Sequence, residues 1–96
     1  MGQGTSGYGV KTMGGTSYTI NTSTAHSLPK IGTPNSVLQK YDDSGKLVKE
    51  RYYDSNGYAL KDIDYTDHGN PKVHKVPHEH NWDWSDPKNP KRGKAE

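Results

Sequence analysis

Histidines and lysines are concentrated in one irregular stretch of the chain, residues 66–84, which we name the histidine-rich stretch. It holds four of the five histidines and both tryptophans. Glycine and proline interrupt it, and no apolar residue recurs at the helical period of 3.6, so neither a helix nor a regular strand is predicted. Because a small domain gains little stability from such a concentration, we interpret the stretch as the functional end of the protein. Its histidines and lysines are His68, Lys72, His74, Lys75, His78 and His80.

These residue types suit metal-independent cleavage of an RNA phosphodiester. The reaction needs a base that deprotonates the 2′-OH, an acid that protonates the leaving oxygen, and a cation that stabilises the charge on the phosphorane. Histidine can act as acid or base because its pKa lies near the operating pH, and lysine or arginine can stabilise the charge. The preceding segment supplies further cations and base-stacking or hydroxyl-bearing side chains, namely Lys49, Arg51, Tyr53 and Tyr65.

The same histidines also permit a metal site. In an extended segment, His78 and His80 point to the same side of the strand, about 7 Å apart. Together with His74 they could hold a zinc ion, and Asp67 or Glu79 could add an oxygen ligand. The chain has no cysteine, and H-x-H by itself is a short motif, so the zinc site is an alternative to metal-independent chemistry.

A third interpretation assigns structural roles to these side chains. Trp82 and Trp84, with one residue between them, would share a strand face and close the bottom of a small core. Asp67 would be a turn residue whose carboxylate bonds the backbone, and Arg51 would lie on a solvated strand face beside Lys49. The residues alone leave all three interpretations open.

Length and composition restrict the size of the fold. A chain of 96 residues with 27% hydrophobic content allows one small domain, and without Phe its seven tyrosines and two tryptophans must supply much of the buried apolar surface. The absence of cysteine excludes disulfides and cysteine metal sites. A net charge of +2 argues only weakly for a nucleic-acid partner. No apolar run is long enough to span a membrane and no signal peptide is recognisable, so no membrane partner is predicted.

A 12-residue repeat precedes the histidine-rich stretch and predicts the elements that position it. Each period reads as a strand, a turn containing Asp, Ser or Asn, and a glycine at positive φ. We predict strands at residues 36–41, 46–53 and 58–65 in an antiparallel meander. The third period diverges after its glycine, where a proline replaces the start of a strand. The residues that align are Tyr41, Tyr53 and Tyr65, and likewise Gly45, Gly57 and Gly69.

Three segments follow from this pattern. Residues 1–30 are rich in Gly, Ser and Thr and are predicted as a flexible linker with room for one edge strand, at residues 17–24. Residues 31–84 carry the meander and the histidine-rich stretch. Residues 85–96 are predicted as a disordered tail. The predicted fold is therefore a small, β-rich single domain around three or four antiparallel strands.

Four motifs in residues 30–84 are similar to those of a known family. They are G-x-P-N-S (Gly32, Pro34, Asn35, Ser36), R-x-Y-D (Arg51, Tyr53, Asp54), D-H-G-N (Asp67 to Asn70) and H-x-x-x-H-x-H (His74, His78, His80). With these motifs the chain resembles a C-terminal domain found at the ends of bacterial polymorphic toxins and of phage minor head (head morphogenesis) proteins.

The resemblance implies a fold and an activity. Such toxin domains are similar to the barnase–RelE-like ribonucleases, which implies a small β-rich α+β domain, no metal cofactor, and an active site of His, Arg and Lys. It also implies a larger parent polypeptide on the N-terminal side and a cognate immunity protein. The domain would be secreted or delivered into a target-cell cytoplasm, or be associated with a virion. The residues carried over as catalytic candidates are His68, His74, His78, His80 and Arg51.

The predicted function is a metal-independent ribonuclease toxin domain. His68 or His78 would act as base or acid, while Arg51 and Lys72 would stabilise the phosphate. Substrate binding is assigned to Lys49, Tyr53, Tyr65 and Lys75. One alternative is a non-catalytic binding or structural module of a phage head or cell-surface protein. The other is a zinc-dependent nuclease that uses His74, His78 and His80.

Overall fold

The computed structural model describes residues 9–65 and 78–93. Seven strands form one sheet, in which each strand lies beside its neighbours in chain order. The strands are β1 (Val10–Met13), β2 (Thr16–Ser23), β3 (Ser36–Tyr41), β4 (Leu47–Tyr53), β5 (Ala59–Asp64), β6 (His78–Asp83) and β7 (Lys91–Arg92). No helix occurs in these residues, and therefore none that could span a membrane.

The β-rich prediction is confirmed, but the predicted number of strands is wrong. Seven strands replace the expected three or four, and the described residues contain no α part. Strands β1 and β2 lie in the segment predicted as a linker, and β7 lies in the predicted tail. The segment forms strands although its composition is polar, because Thr, Tyr and Ile favour extended backbone and alternate side chains of β1 and β2 reach the core.

The repeat forms the central meander as predicted. Strands β3, β4 and β5 pair antiparallel, and their bounds differ from the predicted ones by at most one residue. The two connecting turns are alike: the carboxylates of Asp42 and Asp54 each accept bonds of 2.9 Å from the backbone N–H groups two and four residues ahead. The repeat glycines, Gly45 and Gly57, have φ of 86° and 84°. The predicted positive φ is therefore confirmed at both positions.

One strand pair departs from the antiparallel pattern. Strands β2 and β3 are parallel, so the chain must cross the sheet between them, and residues 24–35 make this connection. We name residues 24–35 the crossing loop. Residues 17–24 were predicted as an edge strand, but β2 instead lies inside the sheet between β1 and β3.

The crossing loop packs closely against β4. Leu28 is buried, and the hydroxyl of Tyr53 donates to the carbonyl oxygen of Pro29 at 2.6 Å. Gly32 lies directly against the Tyr53 ring, since a Cβ at this position would lie 2.7 Å from Cζ. Only glycine allows this approach, which accounts for the glycine of the G-x-P-N-S motif.

The two faces of the sheet differ in composition. On the core face, four side chains form the buried cluster Tyr18, Val37, Tyr52 and Ile63, against which Met13, Ile20 and Tyr65 pack. The rings of Tyr18 and Tyr52 meet edge to face, with centroids 5.0 Å apart. The opposite face, which we name the polar face, carries charged residues and histidines and is partly covered by the crossing loop.

Candidate functional site on the polar face

The strand register brings four predicted site residues onto the polar face. Residues directly opposite one another in neighbouring antiparallel strands project to the same side of the sheet, so each row across the strands shares one face. One row crosses β4, β5 and β6 at Arg51, Asp62 and His80, and the next crosses them at Lys49, Asp64 and His78.

Asp62 is the centre of the first row and is fully buried. Arg51 binds it with two hydrogen bonds, from Nε to Oδ1 at 2.7 Å and from Nη2 to Oδ2 at 2.9 Å. The indole Nε1 of Trp82 donates to Oδ1 at 3.0 Å, and Nη1 of Arg92 lies 3.6 Å from Oδ2. This carboxylate therefore holds two guanidinium groups and one tryptophan in fixed positions.

The contacts of Arg51 favour a structural role. Its Nη1 donates to the carbonyl oxygens of Leu28 at 2.7 Å and Pro29 at 3.3 Å, and its guanidinium lies 4.8 Å from the centroid of the Trp82 ring. The residue is only 7% exposed, so the expected solvated strand face is wrong. All three guanidinium nitrogens contact Asp62 or the crossing loop, and Arg51 thereby holds the loop on the sheet.

Lys49 is more exposed than Arg51. It is half-buried on the polar face, next to Arg51 in the alternation of β4. Burial lowers the pKa of Lys49 below its ordinary value, and the charge of Arg92 lowers it further, while Asp62 and Asp64 act in the opposite direction. Because two cations share this part of the face, a bound anion would relieve their repulsion.

His80 has a defined proton position. Its Nδ1 lies 2.8 Å from the carbonyl oxygen of Gly93. A carbonyl oxygen can only accept a hydrogen bond, so Nδ1 carries the proton and Nε2 of the neutral ring is the basic nitrogen. Strand β7 provides this partner, because its pairing with β6 continues in a bond of 2.7 Å from the Gly93 N–H to the Asn81 carbonyl.

The two predicted tyrosines lie away from His80. Tyr53 is 1% exposed beneath the crossing loop, so its ring has no open face for stacking on a base. Tyr65 lies on the core face, where its hydroxyl donates to Glu50 at 2.5 Å. Burial and this hydrogen bond raise the pKa of Tyr65 to about 12. The structure thus brings Lys49, Arg51, His78 and His80 together, but neither tyrosine joins them.

The other predicted residues divide into two groups. His78 is 3% exposed and pairs with Asp64 in the strand register. Those that lie outside the described residues are Asp67, His68, Lys72, His74 and Lys75. Within residues 9–65 and 78–93, no three His, Asp or Glu side chains are grouped so that they could hold a metal ion. The predicted zinc set includes His74, which is not among these residues.

Three neighbours of the candidate site residues were missed in the sequence. Asp62 could not be found, because the turn at residues 54–57 would by itself place Lys61 opposite Arg51, and a register shift between Tyr52 and Tyr53 makes Asp62 the partner instead. Arg92 and Gly93 could not be found either, because they lie in a segment of proline and charged residues without any strand pattern. That segment was predicted as disordered, yet it provides the partner of His80.

A second fully buried carboxylate lies on the core face. Glu50 accepts hydrogen bonds from Lys11, with Nζ 2.9 Å from both carboxylate oxygens, and from Gln39 at 2.8 Å, in addition to the bond from Tyr65. Burial by itself would raise the pKa of Glu50, but the bonds donated by Tyr65, Gln39 and Lys11 outweigh it, so the pKa is lowered. The Glu50 cluster therefore holds a carboxylate in its ionised form within an aromatic core.

No family model matches the chain, and no curated protein or solved structure matches it. The resemblance to polymorphic-toxin domains stays a prediction from the four motifs. Two of these motifs have structural roles in the described residues. Asn35 adopts a positive φ of 53° and the Ser36 hydroxyl donates to the Thr33 carbonyl at 2.6 Å, while Arg51 and Tyr53 hold the crossing loop.

Proposed function

We propose that the protein is a metal-independent ribonuclease domain of the toxin type, and that it cleaves RNA on the polar face beside His80. The observation that carries the proposal is the hydrogen bond from His80 Nδ1 to the Gly93 carbonyl, which leaves Nε2 as the basic nitrogen. The side chain is partly exposed, unlike that of His78, so a substrate can reach it.

The chemistry requires three transfers at one phosphate. His80 Nε2 takes the proton of the ribose 2′-OH, the 2′-oxygen attacks phosphorus, and the bond to the 5′-oxygen breaks. The products are a 2′,3′-cyclic phosphate and a free 5′-OH once an acid has protonated the leaving oxygen. His68, predicted from the sequence, remains the candidate for this acid.

Cations on the polar face support the phosphate contact. Lys49 lies two residues from Arg51 on the same face of β4, and the side chain of Arg92 is 39% exposed although it lies near Asp62. Fixed positive groups stabilise the phosphorane best where water is partly excluded, as it is around half-buried Lys49. In this proposal, Lys49 and Arg92 take the phosphate-stabilising role of Arg51, to which the sequence prediction had assigned it together with Lys72.

The biological setting proposed from the motifs is a toxin module. The domain would act as the C-terminal part of a larger polypeptide, in the cytoplasm of a target cell or from a virion, and a cognate immunity protein would neutralise it. Neutralisation suits a compact site, because a partner that covers His80 and Lys49 would exclude RNA from both.

The test is RNA degradation by the purified protein in the presence of EDTA. The His80→Asn variant can still donate to the Gly93 carbonyl but lacks the basic nitrogen, so we expect cleavage to fall about 100-fold or more. Its matched control is His26→Asn, because His26 is exposed in the crossing loop. Likewise, Lys49→Ala should reduce cleavage, and Lys46→Ala, in an exposed turn, should not.

Each outcome separates the proposal from its alternatives. Equal cleavage by wild type and His80→Asn contradicts the assigned base. Cleavage that EDTA abolishes favours the zinc-dependent nuclease with His74, His78 and His80. No cleavage by a folded wild type, together with no toxicity when it is expressed in cells, favours the non-catalytic binding module.

A further inference from the structure

Two lysines lie directly opposite one another on the polar face. Lys40 of β3 and Lys49 of β4 are partners in the strand register, so their side chains project to the same side of the sheet. Leu38, two residues before Lys40, lies opposite Arg51, and this side is therefore the polar face. Like charges directly opposite one another in a sheet are destabilising, unless a ligand of opposite charge joins them. We name Lys40 and Lys49 the lysine pair.

The ammonium group of Lys40 is held by the crossing loop. Its Nζ donates to the carbonyl oxygen of His26, and the side chain is partly exposed. A carbonyl oxygen accepts a hydrogen bond without neutralising the charge, and a lysine ammonium has three donors. This one hydrogen bond within the described residues fixes the direction of Lys40 and leaves two donors for a ligand.

The charges of the polar face are distributed unevenly over the strands. Both carboxylates that the described part of this face carries on β3 to β7 lie on β5, where Asp62 is bound by Arg51 and Asp64 lies opposite Lys49. The partners of Lys40 in the register are Ser23 of β2 and Lys49, so neither neighbour carries a carboxylate. Positive charge is therefore in excess on the β3 side. The cations of this face on the same strands are Lys40, Lys49, Arg51 and Arg92.

The lysine pair continues the proposed catalytic site towards β3. Lys49 lies two strands away from His80 in the sheet, and Lys40 lies three strands away. At about 4.8 Å per strand, the backbones of β3 and β6 are about 14 Å apart. Proteins that bind single-stranded nucleic acid follow its backbone with a groove of positive charge. An RNA strand with one phosphate beside His80 and Lys49 would bring its next phosphate towards Lys40.

A phosphate suits the lysine pair better than an acidic protein surface does. Lysine binds phosphate as a point charge, and two ammonium groups on one face are enough for such a contact. A stable protein interface buries about 800 Å² on each partner. The lysines are both partly buried, and the crossing loop lies beside Lys40 at His26, so a narrow strand reaches them more easily than a broad surface.

We propose that the lysine pair is a phosphate subsite for single-stranded RNA, in which Lys40 binds the phosphate next to the one that is cleaved and Lys49 lies between the two. The assignment of RNA as the ligand rests on the function proposed above. Phosphate binding by Lys40 does not require the chemical step, so binding and cleavage can be tested separately.

The test is a binding titration with a ten-nucleotide 2′-O-methyl RNA, which cannot be cleaved through its 2′-oxygen, at several salt concentrations. Each phosphate contact on a single strand contributes about 0.7 to the slope of log K against log salt. Lys40→Ala should therefore lower this slope by about 0.7 and weaken binding about fivefold at low salt. Lys40→Arg keeps the charge and should keep the slope. The matched control is Lys46→Ala, in an exposed turn, which should leave the slope unchanged.

The outcomes distinguish this proposal from the ribonuclease proposal. A slope that Lys40→Ala lowers and Lys40→Arg retains, together with no cleavage by wild type, supports the subsite and contradicts the ribonuclease. An unchanged slope in Lys40→Ala overturns the subsite, whatever the cleavage assay shows. If that variant also has a lower melting temperature, Lys40 only fastens the crossing loop. Failure of the folded wild type to bind the RNA overturns the subsite as well, and an acidic protein surface is then the ligand that remains.

Discussion

Each face of the sheet buries one carboxylate, but the two carboxylates are held in different ways. On the core face, Glu50 is bound by a lysine, a glutamine and a tyrosine hydroxyl, and the lysine side chain is still 35% exposed. On the polar face, Asp62 is bound by the two-pronged guanidinium of Arg51, which is itself buried. The cation bound directly to Glu50 therefore reaches water, whereas the cation bound directly to Asp62 is buried with it.

The two clusters also join different parts of the chain. Glu50 ties β4 to Lys11 of β1, which is separated from β4 in the sheet by β2 and β3. Asp62 and Arg51 tie β4 and β5 to the crossing loop, and Asp62 approaches Arg92 of β7. Lys49 lies on the same strand as Arg51, and His80 lies opposite Asp62, so the candidate site depends on the second cluster.

The largest expected effect comes from Asp62→Ala. The substitution leaves Arg51 buried with no carboxylate, and breaking one partner of a buried pair costs about 3–5 kcal/mol. Since small domains have about 5–15 kcal/mol in total, much of the free energy of unfolding would be lost. Urea denaturation followed by tryptophan fluorescence measures it.

Two further variants check the reason for this loss. Asp43→Ala, in an exposed turn, should leave the urea midpoint unchanged. The double variant Arg51→Met/Asp62→Leu removes both charges and should recover part of the stability. If Asp62→Ala and Asp43→Ala unfold at the same urea concentration, Asp62 does not organise the polar face.

The two repeat turns provide a finer test of the polar face. Gly45 and Gly57 have nearly the same positive φ, so alanine is strained in both, by about 1–2 kcal/mol. At Gly45 a Cβ meets nothing within 4 Å, whereas at Gly57 it would lie 2.5 Å from the Gly32 carbonyl oxygen. Gly57→Ala should therefore destabilise the protein by about 1–3 kcal/mol more than Gly45→Ala.

Thermal unfolding of the two variants gives the comparison directly. The extra loss in Gly57→Ala measures how firmly the crossing loop is docked on the turn, through the bond of 2.8 Å from Gly32 N–H to the Gly57 carbonyl. Equal losses would mean that the crossing loop yields without cost, and that it is not held firmly on the polar face.

The sequence predicts the meander well because its signals are local. Tyrosine spacing and the Asp–Gly turns determine the strands on either side of residues 42–46 and 54–58, and the bonds within these turns join residues at most four apart. The sequence does not predict β1 and β2, because their polar composition indicates a linker. These two strands are stabilised by contacts with residues far along the chain. Lys11 and Glu50 lie 39 residues apart.

In the candidate site, too, local features could be predicted and long-range contacts could not. Lys49, His78 and His80 are predicted from residue type and alternation, and the strand register places them on one face with Arg51. Whether a given arginine faces a phosphate or a buried carboxylate depends on register across three strands, which residue types do not encode. Arg51 was therefore assigned to the substrate, although Asp62 binds it.

The smallest expected effect is that of Glu50→Gln, because its partners keep access to water. The variant retains the shape of the side chain but loses the ionic contact with Lys11, so we expect a loss of about 1–3 kcal/mol at neutral pH. Glu79→Gln is the matched control, since Glu79 pairs with Lys61 on the same face but has a side chain 47% exposed. It should change stability by less than about 1 kcal/mol.

The pH dependence of the same variant identifies the cause of its loss. The pKa of Glu50 is lowered in the folded protein, so its contribution to stability is complete above its ordinary value of 4.5 and is lost as pH falls below it. The difference in the free energy of unfolding between wild type and Glu50→Gln should therefore stay the same, to within about half a kcal/mol, between pH 6 and 8. Below pH 4.5 this difference should shrink. A difference that persists unchanged at pH 3 would show that Glu50 acts through its shape and hydrogen bonds rather than through its charge.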